Sequence, residues 1–254
     1  MRPIAKTPRY ALIADGLRQQ IIDGTLAPGS QMPSLAELVE RYRVSERTAY
    51  EATRILLNEG LTVSRPGAGS FVRSRPDVVR MVRHWYRDAA GKGSPWRAEM
   101  AAAGRHGSWI AESTPVPAPP AIAERLQVEP GERLMRTLYV FTADDAPTYL
   151  STSWEPLAVT GGTQIMLPEK GAHSGKGVVD RFGVIGVRIT RATEELVPRT
   201  LTIAEAEKLR LRAGISVIVI ERTYYAGDTP VETANIVLPP SYHAVYEIPV
   251  GGSA

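Results

Sequence analysis

Cysteine is absent from the 254-residue chain. Neither a disulfide framework nor a thiolate zinc site can be built, and a thiol-free chain points to the cytoplasm. Histidine is scarce as well. His84, His106, His173 and His243 stand far apart without metal-ligand spacing, so no metal site is expected. No stretch approaches the roughly 18 consecutive apolar residues of a membrane span. The opening MRPIAKTPRY carries charge without an apolar core, so neither export nor a membrane partner is expected. Signatures of catalysis are missing too. The loop 161–177, GGTQIMLPEKGAHSGKG, is glycine-rich but lacks the phosphate-loop spacing, with Gly177 where Ser or Thr belongs. No nucleophile elbow surrounds Ser174 beside His173. The loop reads as a flap, and neither an enzyme nor a cofactor is expected.

What is present is enough chain for two ordinary domains, with a hydrophobic fraction of 43%. The net charge is only +3, but it is unevenly placed. Residues 1–75 hold 11 Lys/Arg against 7 Asp/Glu, whereas the rest holds 19 against 20. A basic N-terminal third suits a phosphate backbone as partner, although an ordinary solvated surface would look similar.

Motif order decides between them. Tyr10, Leu12, Ile13, Leu17, Ile21 and Ile22 recur at helical spacing, predicting a helix over 9–23 that Gly24 stops. Pro28-Gly29 makes a turn. A second helix begins after Pro33, capped by Ser34 with Glu37 reaching back, and buries Leu35, Leu38, Val39 and Tyr42. A third is capped by Ser45 and runs to about Asn58, its Ala49, Ala52, Ile55 and Leu56 sharing one side. That leaves Ser45, Glu46, Arg47, Thr48, Tyr50 and Arg54 forward or outward, where such a helix enters the major groove. Two short strands, LTVSR and SFVRS, then flank a glycine-rich turn. Gly67, Gly69 and Ser70 form a tip that can approach a phosphate closely. The order is that of a winged helix-turn-helix over residues 1–75. A helical bundle with a hairpin that binds protein is the alternative.

Residues 76–95, basic and turn-rich with Arg80, Arg83 and Arg87, read as a linker. Residues 96–254 read as a second domain, with strands over 132–142, 147–155, 185–197, 215–226 and 230–238. Helices intervene at PPAIAERLQV and IAEAEKLRLRAG, the second capped by Thr202 with Glu205 three residues on. The whole is an α+β protein: a winged helix-turn-helix followed by a mixed α/β sheet domain.

Through PGSQMPS, VSERTAYEA and GAGSFV, residues 9–73 resemble the GntR family of bacterial transcription regulators. The second domain resembles the UTRA effector module, of chorismate-lyase-like type, through PPAIAERLQVEPGE, RTLYVFTADDAP, YLSTSWEP and ERTYYAGDTPVETANIV. The combination is that of the HutC subfamily. The resemblance implies a homodimer on an inverted-repeat operator in double-stranded DNA, usually a repressor, released by a small metabolite. In this family Arg is usual where this chain has Ala36, Glu46 and Tyr50, so an altered operator is expected, with Arg47 and Arg54 taking part of the lost role. Glu46 pairing simply with Arg47 or the following turn is the other reading.

UTRA modules that bind sugar phosphates resemble an Arg-x-Arg pattern where Tyr139 and Phe141 stand here. A sugar phosphate is therefore disfavoured, and a less charged, partly apolar effector expected. Ser151, Ser153, Trp154, Tyr224 and Glu232 fall on strands near the same expected cleft, Glu232 matching the family's pocket carboxylate. Strand alternation leaves both a pocket wall and a core position open to each of them.

Overall fold

The computed structural model describes residues 7–73, 79–83 and 94–246, in two units that divide between Val78 and Val79. In the first, Ile13, Ala14 and Leu17 form the buried stripe of α1 (Arg9–Ile22). Ser34 starts α2 (Leu35–Tyr42): its hydroxyl accepts from the Glu37 amide at 3.2 Å, and the Glu37 carboxylate accepts from the Ser34 amide at 2.7 Å. This reciprocal cap satisfies two helix-start donors. Ser45 starts α3 (Glu46–Asn58), whose Ala49, Ala52 and Leu56 are wholly buried against Leu17 and Leu38. Small residues at Ala49 and Ala52 let the backbones of the three helices approach closely. Ser34→Ala is expected to cost about 1 kcal/mol, read as an earlier urea transition of the winged unit. An unshifted midpoint would show that water replaces the cap.

The hairpin is β1 (Thr62–Arg65) and β2 (Gly69–Val72), in antiparallel register from Thr62↔Val72 to Arg65↔Gly69. Residues 29–32 lie along it as well. The Val72 amide donates to the Ser30 carbonyl and the Met32 amide to the Ser70 carbonyl, both at 2.8 Å.

The second unit opens earlier than its sequence suggests. Val79–Arg83 is a strand, β3, within the stretch expected as linker. It pairs in parallel with the last described strand, which is possible only once the whole domain has been traversed. The rest of that stretch, 76–78 and 84–93, lies outside the described residues, as does His84, while Pro95 already belongs to α4 (Pro95–Ala102).

A six-stranded antiparallel sheet follows. Its strands are β4 (Gly107–Pro117), β5 (Arg133–Ala143), β6 (Ala146–Pro156), β7 (Arg191–Thr200), β8 (Ser216–Ala226) and β9 (Thr229–Leu238). They stand in the order β4-β5-β6-β9-β8-β7. The helices between them are α5 (Pro120–Leu126), α6 (Leu157–Thr160), α7 (Val178–Val184) and α8 (Ile203–Leu209), and β10 (Tyr242–Tyr246) is the partner of β3. Asp144 and Asp145 take positive φ in the β5–β6 turn, a conformation that Asp tolerates. The strand expected from 185 begins at 191, because 182–187 closes α7 through turns at Ile185 and Gly186.

One sheet face is covered by α5 and α8. Ile122, Ala123 and Leu126 pack on Leu134 and Trp154, while Ala206 and Leu209 pack on Leu150, Val219 and Val237. Arg125 pins α5 down, donating to Asn235 Oδ1 at 2.5 Å and to the Ala234 carbonyl at 2.9 Å. The other face of the sheet meets the segment containing α6 and α7.

Candidate functional sites: a DNA-reading helix and a polar sheet face

Burial of Ala49, Ala52 and Leu56 turns the opposite side of α3 to solvent, and Glu46, Arg47, Tyr50 and Arg54 are all exposed there. Tyr50 keeps 52% of its surface. Ser45 and Thr48 are engaged with each other: the Ser45 hydroxyl accepts from the Thr48 amide at 3.3 Å and lies 2.9 Å from the Thr48 hydroxyl. They fix the start of the helix. Arg54 is ion-paired with Glu51 at 3.0 Å. Glu46 and Arg47 make no side-chain hydrogen bond or ion pair among the described residues, so the pairing of Glu46 with Arg47 is not formed. Ser34, also exposed, is held in its capping box.

At the hairpin tip Gly67 and Gly69 have φ of 72° and 98°, which only glycine adopts readily. Sequence reasoning missed Gln31. Its amide nitrogen donates to the Ala68 carbonyl at 3.2 Å, and its backbone bridges to Phe71, so it fixes the tip from behind. Arg65 lies over the Phe71 ring, 4.4 Å from its centroid, and Ser70 is half-buried.

In the sheet, register decides which candidates meet. Tyr139 pairs with Ser151, Thr137 with Ser153, Ser153 with Ala234, and Tyr224 with Glu232. Paired residues point to one side, so Tyr139, Phe141, Ser151, Ser153, Tyr224 and Glu232 share the face away from α5 and α8. Trp154 does not. Following Ser153 directly, it points to the covered face and packs among Ile122, Ala123 and Leu126; its expected place in the cleft is corrected to the core. Tyr224, on the shared face, is sealed beneath Ile165 and Phe182, with Arg222 over its ring at 4.4 Å.

The aromatic wall is continuous. Tyr139 stacks on Phe141 at 5.7 Å between centroids, Phe141 on Tyr149 at 4.4 Å, and Trp96 meets Tyr149 edge-on at 5.1 Å.

Beside this wall lies an ionic cluster that strand patterning concealed. Glu155 on β6 and Arg181 on α7 form an ion pair with both side chains almost wholly buried. Arg181 also donates to the Ile165 carbonyl at 2.9 Å. Next to them on β9, Glu232 is completely buried and accepts from Arg222 at 3.4 Å. The second carboxylate oxygens of Glu155 and Glu232 have no hydrogen-bond partner among the described residues. Burial pushes the Glu155 carboxyl up to about 7 against the pull of Arg181. Burial raises Glu232 too, with Arg222 pulling the other way. Tyr139 is held well above its ordinary range by burial and then by the charges of Glu169 and Glu155.

The flap 161–177 is folded into turns with a short 3₁₀ segment at Gly171–His173. Glu169 accepts from the Gly175 amide at 3.1 Å, and a β-carbon on Gly175 would stand 3.6 Å from the Trp109 ring. Among the described residues no group of three His, Cys, Asp or Glu could hold a metal ion, and no helix is long and apolar enough to cross a membrane.

A winged helix-turn-helix with an exposed polar face on α3, followed by a sheet with one polar, aromatic-walled face, is the architecture of a ligand-responsive DNA-binding transcription regulator. The family model for bacterial regulatory proteins of the gntR family matches residues 9–72, and that for the UTRA domain matches residues 102–244. A solved structure of a GntR-family transcriptional regulator is 43% identical, with a TM-score of 0.80 over 96% of this chain and 99% of that one. The chain belongs to the GntR family and carries a UTRA domain. Two curated relatives are the transcriptional repressor NagR of Bacillus subtilis, 27% identical over 86% of this chain and 84% of its own, and the histidine utilization repressor of Pseudomonas putida, 26% identical over 93% and 90%.

Proposed function

We propose that the protein is a cytoplasmic repressor that binds an inverted-repeat operator as a homodimer and leaves it when a small metabolite, not a sugar phosphate, occupies the polar sheet face. The exposed set on α3 carries this reading: Arg47 is uncommitted and Arg54 needs only to exchange Glu51 for DNA. Glu46 and Tyr50 are read as specificity contacts, with Ser34, Ser45 and Thr48 bracing helix starts near phosphates. Gly67, Gly69 and Ser70 form the wing tip. The repressor names of the two curated relatives support the direction of control. On the sheet Tyr139, Phe141, Ser151, Ser153 and Glu232 line the effector site, with Tyr224 behind it. Release follows from linkage, since an effector that favours the non-binding arrangement withdraws population from the DNA-competent one.

The test is selection of binding sites from random duplex DNA, then a salt series on the winning sequence. An inverted repeat whose affinity falls steeply with salt is expected, as counterions are released from neutralised phosphates. No consensus from folded protein would transfer the winged unit to protein binding. Arg47→Ala is expected to weaken the selected site by about 1–3 kcal/mol and relax preference at one base pair. Equal loss on all sequences in a fluorescence titration would make Arg47 a phosphate contact instead.

A further inference from the structure

The polar face of the sheet has a charge balance that restricts its ligand. Three carboxylates act on the Tyr139 hydroxyl, those of Glu169, Glu155 and Glu232, together with the Arg181 guanidinium. The guanidiniums that act on them are already engaged: Arg181 holds Glu155 and the Ile165 carbonyl, Arg222 holds Glu232 and covers Tyr224, and Arg125, which also acts on Glu232, is bonded to Asn235 and the Ala234 carbonyl. None of these guanidiniums is left over for an incoming anion.

The carboxylates are also incompletely satisfied. Glu155 and Glu232 are buried to 1% and 0% exposure, and each has one oxygen on its arginine while the other has no hydrogen-bond partner among the described residues. A buried acceptor without a donor is costly, and costlier still when charged. The pairing Trp154↔Thr233 sets these two residues side by side across β6 and β9, both pointing to the face walled by Tyr139 and Phe141. Aromatic faces beside carboxylates suit a cation, which the ring quadrupole attracts.

We propose that this face takes a cationic, nitrogen-bearing metabolite whose ammonium or amidinium group donates to the free carboxylate oxygens of Glu155 and Glu232, with Glu169 contributing charge from the flap. The proposal rests on the reading of this face as the effector site and adds the charge class of its occupant.

The full chain is tested by thermal shift and calorimetry against two matched sets of probes: benzylamine, benzamidine, benzyl alcohol and benzoate, then glucosamine, glucose and glucose 6-phosphate. Stabilisation by the amine and amidine members, and not by their neutral or anionic counterparts, is expected. Glu232→Gln is expected to weaken the best amine by roughly tenfold or more, the scale of one charge-assisted hydrogen bond. Glu169→Gln, which leaves both buried ion pairs intact, should weaken it severalfold and guards against a misfolded Glu232 variant. Stabilisation led by benzoate or the phosphate, amine affinity unchanged in both variants, or no stabilisation by any amine would overturn the assignment. The operator duplex keeps the two claims apart. An amine that binds without releasing DNA sinks release alone, whereas an anion that binds and releases DNA sinks the cation class alone.

Discussion

Arg181→Ala is expected to destabilise the effector domain by about 3–5 kcal/mol, because it strands the buried Glu155 carboxylate without its partner. The loss should depend on pH. Glu155 already stands raised to about 7, above its ordinary value, so its folded state holds a proton more tightly than the unfolded chain. A carboxyl shifted upward favours the fold at low pH, where it is protonated in both states, and that contribution disappears as pH rises through the folded value. Without Arg181 to pull it down, Glu155 moves higher, and the penalty falls on the ionised form. The variant's deficit in urea denaturation should therefore be small near pH 5 and large near pH 8. A deficit independent of pH would place the damage in lost packing around Phe182 and Ile165 instead.

Trp154→Ala is expected to cost about 3–5 kcal/mol through the cavity left beneath α5. Effector affinity gives the sharper result. Trp154→Phe, which refills much of that space, should bind the effector as tightly as the natural protein, because the ring lies on the covered side of the sheet. Loss of affinity in this milder variant, with stability nearly intact, would return Trp154 to the binding site.

These two residues also show where the amino-acid sequence is informative and where it stops. The winged unit is local: caps at Ser34 and Ser45, a stop at Gly60 and a glycine-tipped turn each act within a few residues, and each can be read directly. Strand alternation was readable too, yet it says only that Ser153 and Trp154 face opposite ways. Which side bears helices depends on α5 and α8 arriving from outside the sheet. Arg181 escaped notice for a related reason. Its partner lies 26 positions away, and nothing in VVDRFGV distinguishes a buried arginine from a solvated one. Strand β3 was hidden still more deeply, since its pairing joins residues 79–83 to 242–246. Gln31 had one indirect signal, a polar residue closely preceding a capped helix, which does not reveal contact with Ala68.

The pairing of β3 with β10 bears on how the protein can be taken apart. A fragment cut at residue 96, after the basic stretch that reads as a linker, would remove Met81 from the cluster that holds Trp96, Tyr149 and Tyr242, and would leave β10 with an open edge. The effector domain is in effect clasped, its first strand fastened to its last. Any rearrangement that unseats Tyr242 from the aromatic wall therefore acts on the first and last strands of the effector domain together.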